Sequence, residues 1–161
     1  MSETSTMINA PVELAGWVRN LADMYCKDLR ALTPEGYSVS AGGVARTAQN
    51  FTAEVAGFNF MITSIINGEA PSMPNDEERE AFVASLDTIE KGCEAITNSA
   101  NAFASALESS DRNFAEMITV PWGAQMSLYA FANIAANHIM YHDAQLNFIQ
   151  SLHGDAEMHW M

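Results

Sequence analysis

Residues 122–154 read WGAQMSLYAFANIAANHIMYHDAQLNFIQSLHG, and the spacing inside this stretch decides the fold. Pro121 precedes it, no proline interrupts it, and Gly154 stands where a helix C-terminal cap is expected. A helix of about 30 residues at ~1.5 Å each would run roughly 45 Å. Its apolar positions recur at helical intervals through Leu128, Phe131, Ile134, Ala135, Ile149 and Leu152. Between Ile134 and Ile149 the stripe is interrupted by His138, His142 and Gln145. The two histidines lie one turn apart on one face, with Cβ atoms roughly 5–6 Å apart, so both imidazoles can converge on one metal ion. Such a pair can also be a polar patch or a hydrogen-bonded pair in the core. Its place in the apolar stripe favours ligation, because buried imidazoles need partners and one ion serves both.

Three more helices are read outward from this one. Residues 11–32 carry a continuous apolar face of Leu14, Trp17, Val18, Leu21, Tyr25, Leu29 and Leu32, with Asp28 beside it as a solvated flank. The connector 33–43, broken by Pro34, Gly36, Gly42 and Gly43, is long enough to carry the chain across the end of a bundle. A second helix covers 44–67, with Gly68 as its stop. A third starts at Asn75, where Glu78 completes a capping box, and continues to 109. Along it Phe82, Leu86, Ile89, Cys93, Ile96, Ala100, Phe103 and Leu107 repeat by four and three, the seam of a bundle helix. The residues before 10 are small and polar and read as a loose arm. The tail from 155, with His159 and Trp160, can fold back on the bundle or meet a second subunit.

The second helix holds the one discordant residue. Its seam of Phe51, Phe58, Met61 and Ile65 passes through Glu54, which puts a carboxylate at a core position. No basic residue lies one turn away, since the positions three and four removed are Phe51, Asn50, Gly57 and Phe58. A buried carboxylate without a partner turns neutral or binds a cation. The other readings are a Glu that faces solvent on a rotated helix and a protonated Glu in the core.

Composition limits the function. The chain has 161 residues, enough for one domain with a core, and 7 Lys+Arg against 20 Asp+Glu give a net charge of -13. That balance disfavours nucleic acid and anionic membranes as partners. Cys26 and Cys93 form no CxxC pair and read as reduced, half-buried thiols. No signal peptide and no membrane-spanning apolar run is visible, so a cytoplasmic location is expected.

The run Asn137-His138-Ile139-Met140-Tyr141-His142-Asp143-Ala144-Gln145-Leu146 resembles the last-helix signature of DinB/YfiT-like proteins. Gly42-Gly43-Val44-Ala45-Arg46-Thr47 is similar to the start of that family's second helix. The resemblance implies an all-α chain, a single four-helix bundle over residues 10–161 behind a flexible arm 1–9. It also implies a homodimer and one divalent transition metal held by three histidines. Two of these match His138 and His142; the third falls at Asn50, and the second helix has no histidine. Either Glu54 replaces it one turn later, or Asn50 supplies an oxygen, or the metal is lost. Two imidazoles and a carboxylate would suit Zn, Ni, Fe or Mn. Asp143 and Gln145 are candidates to orient an imidazole or a bound water. The activity implied is transfer of a low-molecular-weight thiol or metal-assisted hydrolysis. The alternative is a non-catalytic dimeric binding or stress protein that keeps the fold without a working metal.

Overall fold

Burial follows the apolar stripes except at Trp17, Ile134 and Leu152, which are exposed. In a computed structural model that describes residues 8–71 and 73–160, the first helix, α1 (Ala10–Ala31), buries Leu14, Val18, Leu21, Tyr25 and Leu29 along one face. Pro11 sits in its first turn, where no intrahelical N–H is needed. The expected flexible arm 1–9 falls largely on residues 1–7, outside the described residues.

The connector after α1 carries a short helix, α2 (Pro34–Ser38), capped by the Thr33 hydroxyl, which accepts from Gly36 N at 3.0 Å. Its Tyr37 is buried, and the phenol donates to Leu86 O at 2.8 Å. The second long helix, α3 (Ala48–Ile66), opens on a capping box between Thr47 and Asn50, four residues later than the sequence pattern suggests. Gly68, with a φ of +78°, ends it.

The expected third helix is two. α4 (Asp76–Ser85) begins at the foreseen Asn75–Glu78 capping box, then stops, and α5 (Ile89–Ser109) starts afresh with Thr88 as its cap. The four-three seam runs through the break unchanged, because periodicity in side chains does not register that Thr88 Oγ1 takes the Lys91 N–H at 3.3 Å. α4 buries no residue completely. The helix expected from 122 starts only at α6 (Leu128–Leu152), capped by Ser127. The residues before it form an antiparallel hairpin, β1 (Met117–Thr119) with β2 (Gln125–Ser127), which pairs Ile118 with Met126. Gly123, at φ +86°, makes its turn. The architecture is thus four long helices, α1, α3, α5 and α6, with two short helices and a hairpin added, rather than four helices alone.

α1 and α3 each pack on both α5 and α6, which puts α1 and α3 on one diagonal of the bundle and α5 and α6 on the other. The long connector before α3 spans that diagonal. Where α5 crosses its neighbours only a glycine fits: a Cβ on Gly92 would lie 2.8 Å from the Tyr37 phenolic oxygen and 3.1 Å from Leu29. Cys26 and Cys93 face each other between α1 and α5 as free thiols, buried rather than half-buried. No helix among the described residues is long and apolar enough to cross a membrane.

Asp28 is not the solvated flank expected. It is fully buried, and its carboxylate accepts from Asn147 Nδ2 at 2.8 Å, from Gln150 Nε2 at 3.4 Å and from the Trp160 indole of the folded-back tail. Asp143 is buried next to it, with neither carboxyl oxygen hydrogen-bonded. Burial first, and the Asp28 carboxylate second, push the Asp143 carboxyl up to about 8. An unfolded Asp titrates near ~4. Between those values the unfolded chain has released a proton that the folded chain keeps, so stability falls as pH rises from about 4 to about 8. Asp143→Asn removes that penalty. With a chelator present, so that the adjacent His142 binds no metal, its Tm should exceed that of the wild type by several degrees at pH 8 and by much less at pH 5 in paired thermal melts.

Candidate metal centre

α3 and α6 share a face to which α3 contributes Phe51, Glu54 and Phe58, spaced by three and four residues. Opposite them α6 presents His138 and His142 one turn apart. Phe51 stacks on the His142 ring with centroids 5.4 Å apart and planes 13° from parallel. Phe58 lies 4.8 Å from the His138 ring, and Tyr141 meets His142 edge-on at 5.0 Å. These aromatic contacts restrict both imidazoles, and their Nε2 atoms meet 3.1 Å apart.

Glu54 Oε1 completes a triangle, 3.3 Å from His138 Nε2 and 3.5 Å from His142 Nε2. In a tetrahedral site with metal–nitrogen bonds of 2.0–2.1 Å, neighbouring donors stand about 3.3–3.4 Å apart. The triangle has that size, so Glu54, His138 and His142 could hold one metal ion. Only three protein donors meet there among the His, Cys, Asp and Glu side chains of the described residues, and such a donor set leaves a coordination position for a further ligand.

The protonation states suit ligation. Gln145 Oε1 stands 2.8 Å from His142 Nδ1. An amide oxygen only accepts, so this hydrogen bond puts a proton on Nδ1 and turns Nε2 toward the triangle. The imidazole of His138 foremost, then His142, with the Arg46 guanidinium adding, hold the Glu54 carboxyl well below the usual carboxylate range, against partial burial. Glu54 is therefore ionised at neutral pH.

The structure corrects two expectations about Glu54. Its side chain is 41% exposed, at the rim rather than in the core, and it has a basic partner. Arg46 pairs with Oε2 and leaves Oε1 to face the imidazoles. The arginine comes from the segment before α3, eight residues ahead of Glu54 and beyond the neighbours one turn away. Asn50 is drawn elsewhere: its Oδ1 accepts from Thr47 N at 3.2 Å and from Thr47 Oγ1 at 2.8 Å, which commits it to the cap of α3. Gln145 touches His142, whereas Asp143 lies beside Asp28 and hydrogen-bonds to neither imidazole. Of the remaining histidines, His153 caps α6 and His159 pairs with Asp155 at 2.8 Å.

No protein-family model and no curated protein matches this chain. The fold is similar to two crystal structures of a mycothiol-dependent maleylpyruvate isomerase, one of them a point mutant, each with a TM-score of 0.67. Sequence identity is 13% to the mutant and 14% to the other, over 83% of this chain. This chain spans 59% of the length of the isomerase. The likeness shows the fold, and agrees at that level with the DinB-like resemblance.

Loss of an outer-sphere partner alone typically lowers metal affinity 10–100-fold, so loss of a ligand charge should exceed it. Glu54→Gln is expected to weaken zinc binding by more than about 100-fold, while Asn50→Ala stays within about threefold of wild type. Competition against a chromogenic chelator reads both.

Proposed function

We propose that this chain is a DinB/YfiT-like metalloprotein, one bundle domain over residues 10–161, that uses a divalent transition metal (Zn, Ni, Fe or Mn) to activate a low-molecular-weight thiol for transfer. The single observation that carries this reading is the triangle of Glu54 Oε1, His138 Nε2 and His142 Nε2 at tetrahedral donor spacing. When bound, such a metal acts as a Lewis acid that lowers the pKa of a thiol, or of a water in the hydrolytic variant. The chain's own residues prepare the site. Gln145 fixes the tautomer of His142, and Phe51 and Phe58 hold the rings and keep water from their faces. Arg46 holds the carboxylate so that one oxygen is offered to the imidazoles. The name of the isomerase with the similar fold, a mycothiol-dependent enzyme, supports a thiol as the co-substrate.

A second reading, a non-catalytic binding protein that keeps the fold, has one observation in its favour. The three side chains and Arg46 also pair with one another by hydrogen bonds and ion contacts, with His138 Nδ1 alone left buried and unpaired among them. Zinc-loaded protein mixed with mycothiol or bacillithiol and an electrophilic acceptor separates the two readings. Thiol consumption should fall to background with a chelator and with His142→Ala. Equal rates with and without metal would leave only the binding protein.

The proposed homodimer has a candidate surface. On the outer face of α6, Ile134, Tyr141, Phe148 and Leu152 are exposed at intervals of seven, seven and four residues, with Phe148 64% accessible. An apolar stripe of that kind matches the helix-pairing period. A cytoplasmic setting suits the buried thiols of Cys26 and Cys93. Light scattering should give twice the chain mass for the wild type and the single chain mass for Phe148→Asp.

A further inference from the structure

A cavity of about 850 Å³ opens beside the metal centre, between α3 and α4. Its origin lies in two features of the fold. α4 stands off the bundle and buries no residue completely, so a trough remains between it and α3. The second feature is Gly57, exposed within α3 and three residues after Glu54. A Cβ placed on it would meet no atom within 4 Å. Glycine inside a helix costs about 1 kcal/mol relative to alanine, and no close approach of another element requires it here. What its lack of a side chain does is leave depth in the trough one turn from the carboxylate.

The lining of this cavity is mostly apolar, with one basic residue beside the triangle and one on α4. Phe58 lines it on α3 and also packs against the His138 ring, and Phe82 and Val83 line it from α4. Arg46 and Arg79 also line it, two of the chain's seven basic residues on a protein of net charge -13. Arg46 is engaged with Glu54. Arg79 is 56% exposed, donates to Pro74 O at 2.9 Å, and pairs with Asp76 three residues earlier. An exposed pair of that kind contributes little and exchanges readily for another anion. Of the two acids in the lining, Glu54 belongs to the triangle, and Glu78 is held in its capping box by Asn75 N at 2.9 Å.

We infer that this cavity binds the second substrate of the metal centre, a small molecule with an apolar body and one anionic group. The body lies on Phe58 and Phe82 and reaches past Gly57 toward Glu54, and the anionic group meets Arg79. A site of about 850 Å³ falls in the range of cavities that enclose drug-sized ligands. The role as substrate rests on the thiol-transfer reading above; the binding itself does not.

Two probes with the same aromatic body test the inference. Anilinonaphthalene sulfonate carries a charge and phenylnaphthylamine does not. Both should bind the full chain saturably in fluorescence titrations. Gly57→Leu fills the cavity while improving helix propensity, so it should leave Tm unchanged or raised and weaken both probes at least about tenfold. Arg79→Gln should weaken the sulfonate about tenfold, as expected for loss of a charge-assisted contact, and leave phenylnaphthylamine within about twofold. Gly57→Leu that stays folded and binds both probes like wild type would overturn the inference, as would an Arg79→Gln variant that treats the sulfonate no differently. Zinc content measured in the same samples reports on the metal centre separately, so failure there is distinguishable from failure of the cavity.

Discussion

The contact on which the rest turns is that between a carboxylate on α3 and two imidazoles on α6. His142 is almost wholly buried, with its side chain 1% exposed, and lies 3.5 Å from an ionised carboxylate oxygen and 3.1 Å from a second imidazole. Groups so placed are costly unless each donor and acceptor is matched or a cation joins them. The fold meets that demand by position. α3 and α6 are neighbours because α3 packs across from α1 on the bundle diagonal. Phe51 and Phe58, one turn to either side of Glu54, brace the rings. Gln145 and Arg46 take the outward-facing atoms of His142 and Glu54, which leaves three inward-facing donors at one point.

A second buried polar assembly lies further along α6 and is kept apart from the first. Asp28, Asp143, Asn147, Gln150 and the tail residue Trp160 join α1, α6 and the C-terminal segment. Here the two acids face each other with no basic residue in hydrogen-bond contact with either carboxylate. Consecutive residues of one helix thus serve different ends. His142 belongs to the triangle, while Asp143, a third of a turn around the helix, belongs to the clasp between α1 and the tail.

Much of this was legible in the residues and some was not, for physical reasons. The amphipathic stripes of α1, α5 and α6 and the capping boxes are local patterns, and they located α1 and the C-terminal ends of α5 and α6 to within a few residues, but not the starts of α5 and α6. The convergence of Glu54 with His138 and His142 was readable because a carboxylate in an aromatic seam and a histidine pair in an apolar stripe are each anomalous alone. The break at Thr88 was hidden by a seam that continues through it. The hairpin was hidden because residues 117–127 are too short to show alternation, although the β-branched Ile118, Thr119 and Val120 ahead of Pro121 and Gly123 are a strand-and-turn signal. The partner of Glu54 escaped because Arg46 stands eight residues before it, beyond the neighbours one turn away, and reaches it from the segment ahead of α3. Asp28 looked solvated because its hydrogen-bond donors come from residues 147–160, more than a hundred positions away.

X-ray diffraction from crystals of untagged protein grown with zinc, with data collected on both sides of the zinc absorption edge, tests the central claim most directly. One anomalous peak per chain should stand within bonding distance of His138 Nε2, His142 Nε2 and a Glu54 carboxylate oxygen, roughly 2.0–2.2 Å from each. No peak at that point, or a peak whose ligands omit Glu54, would contradict it.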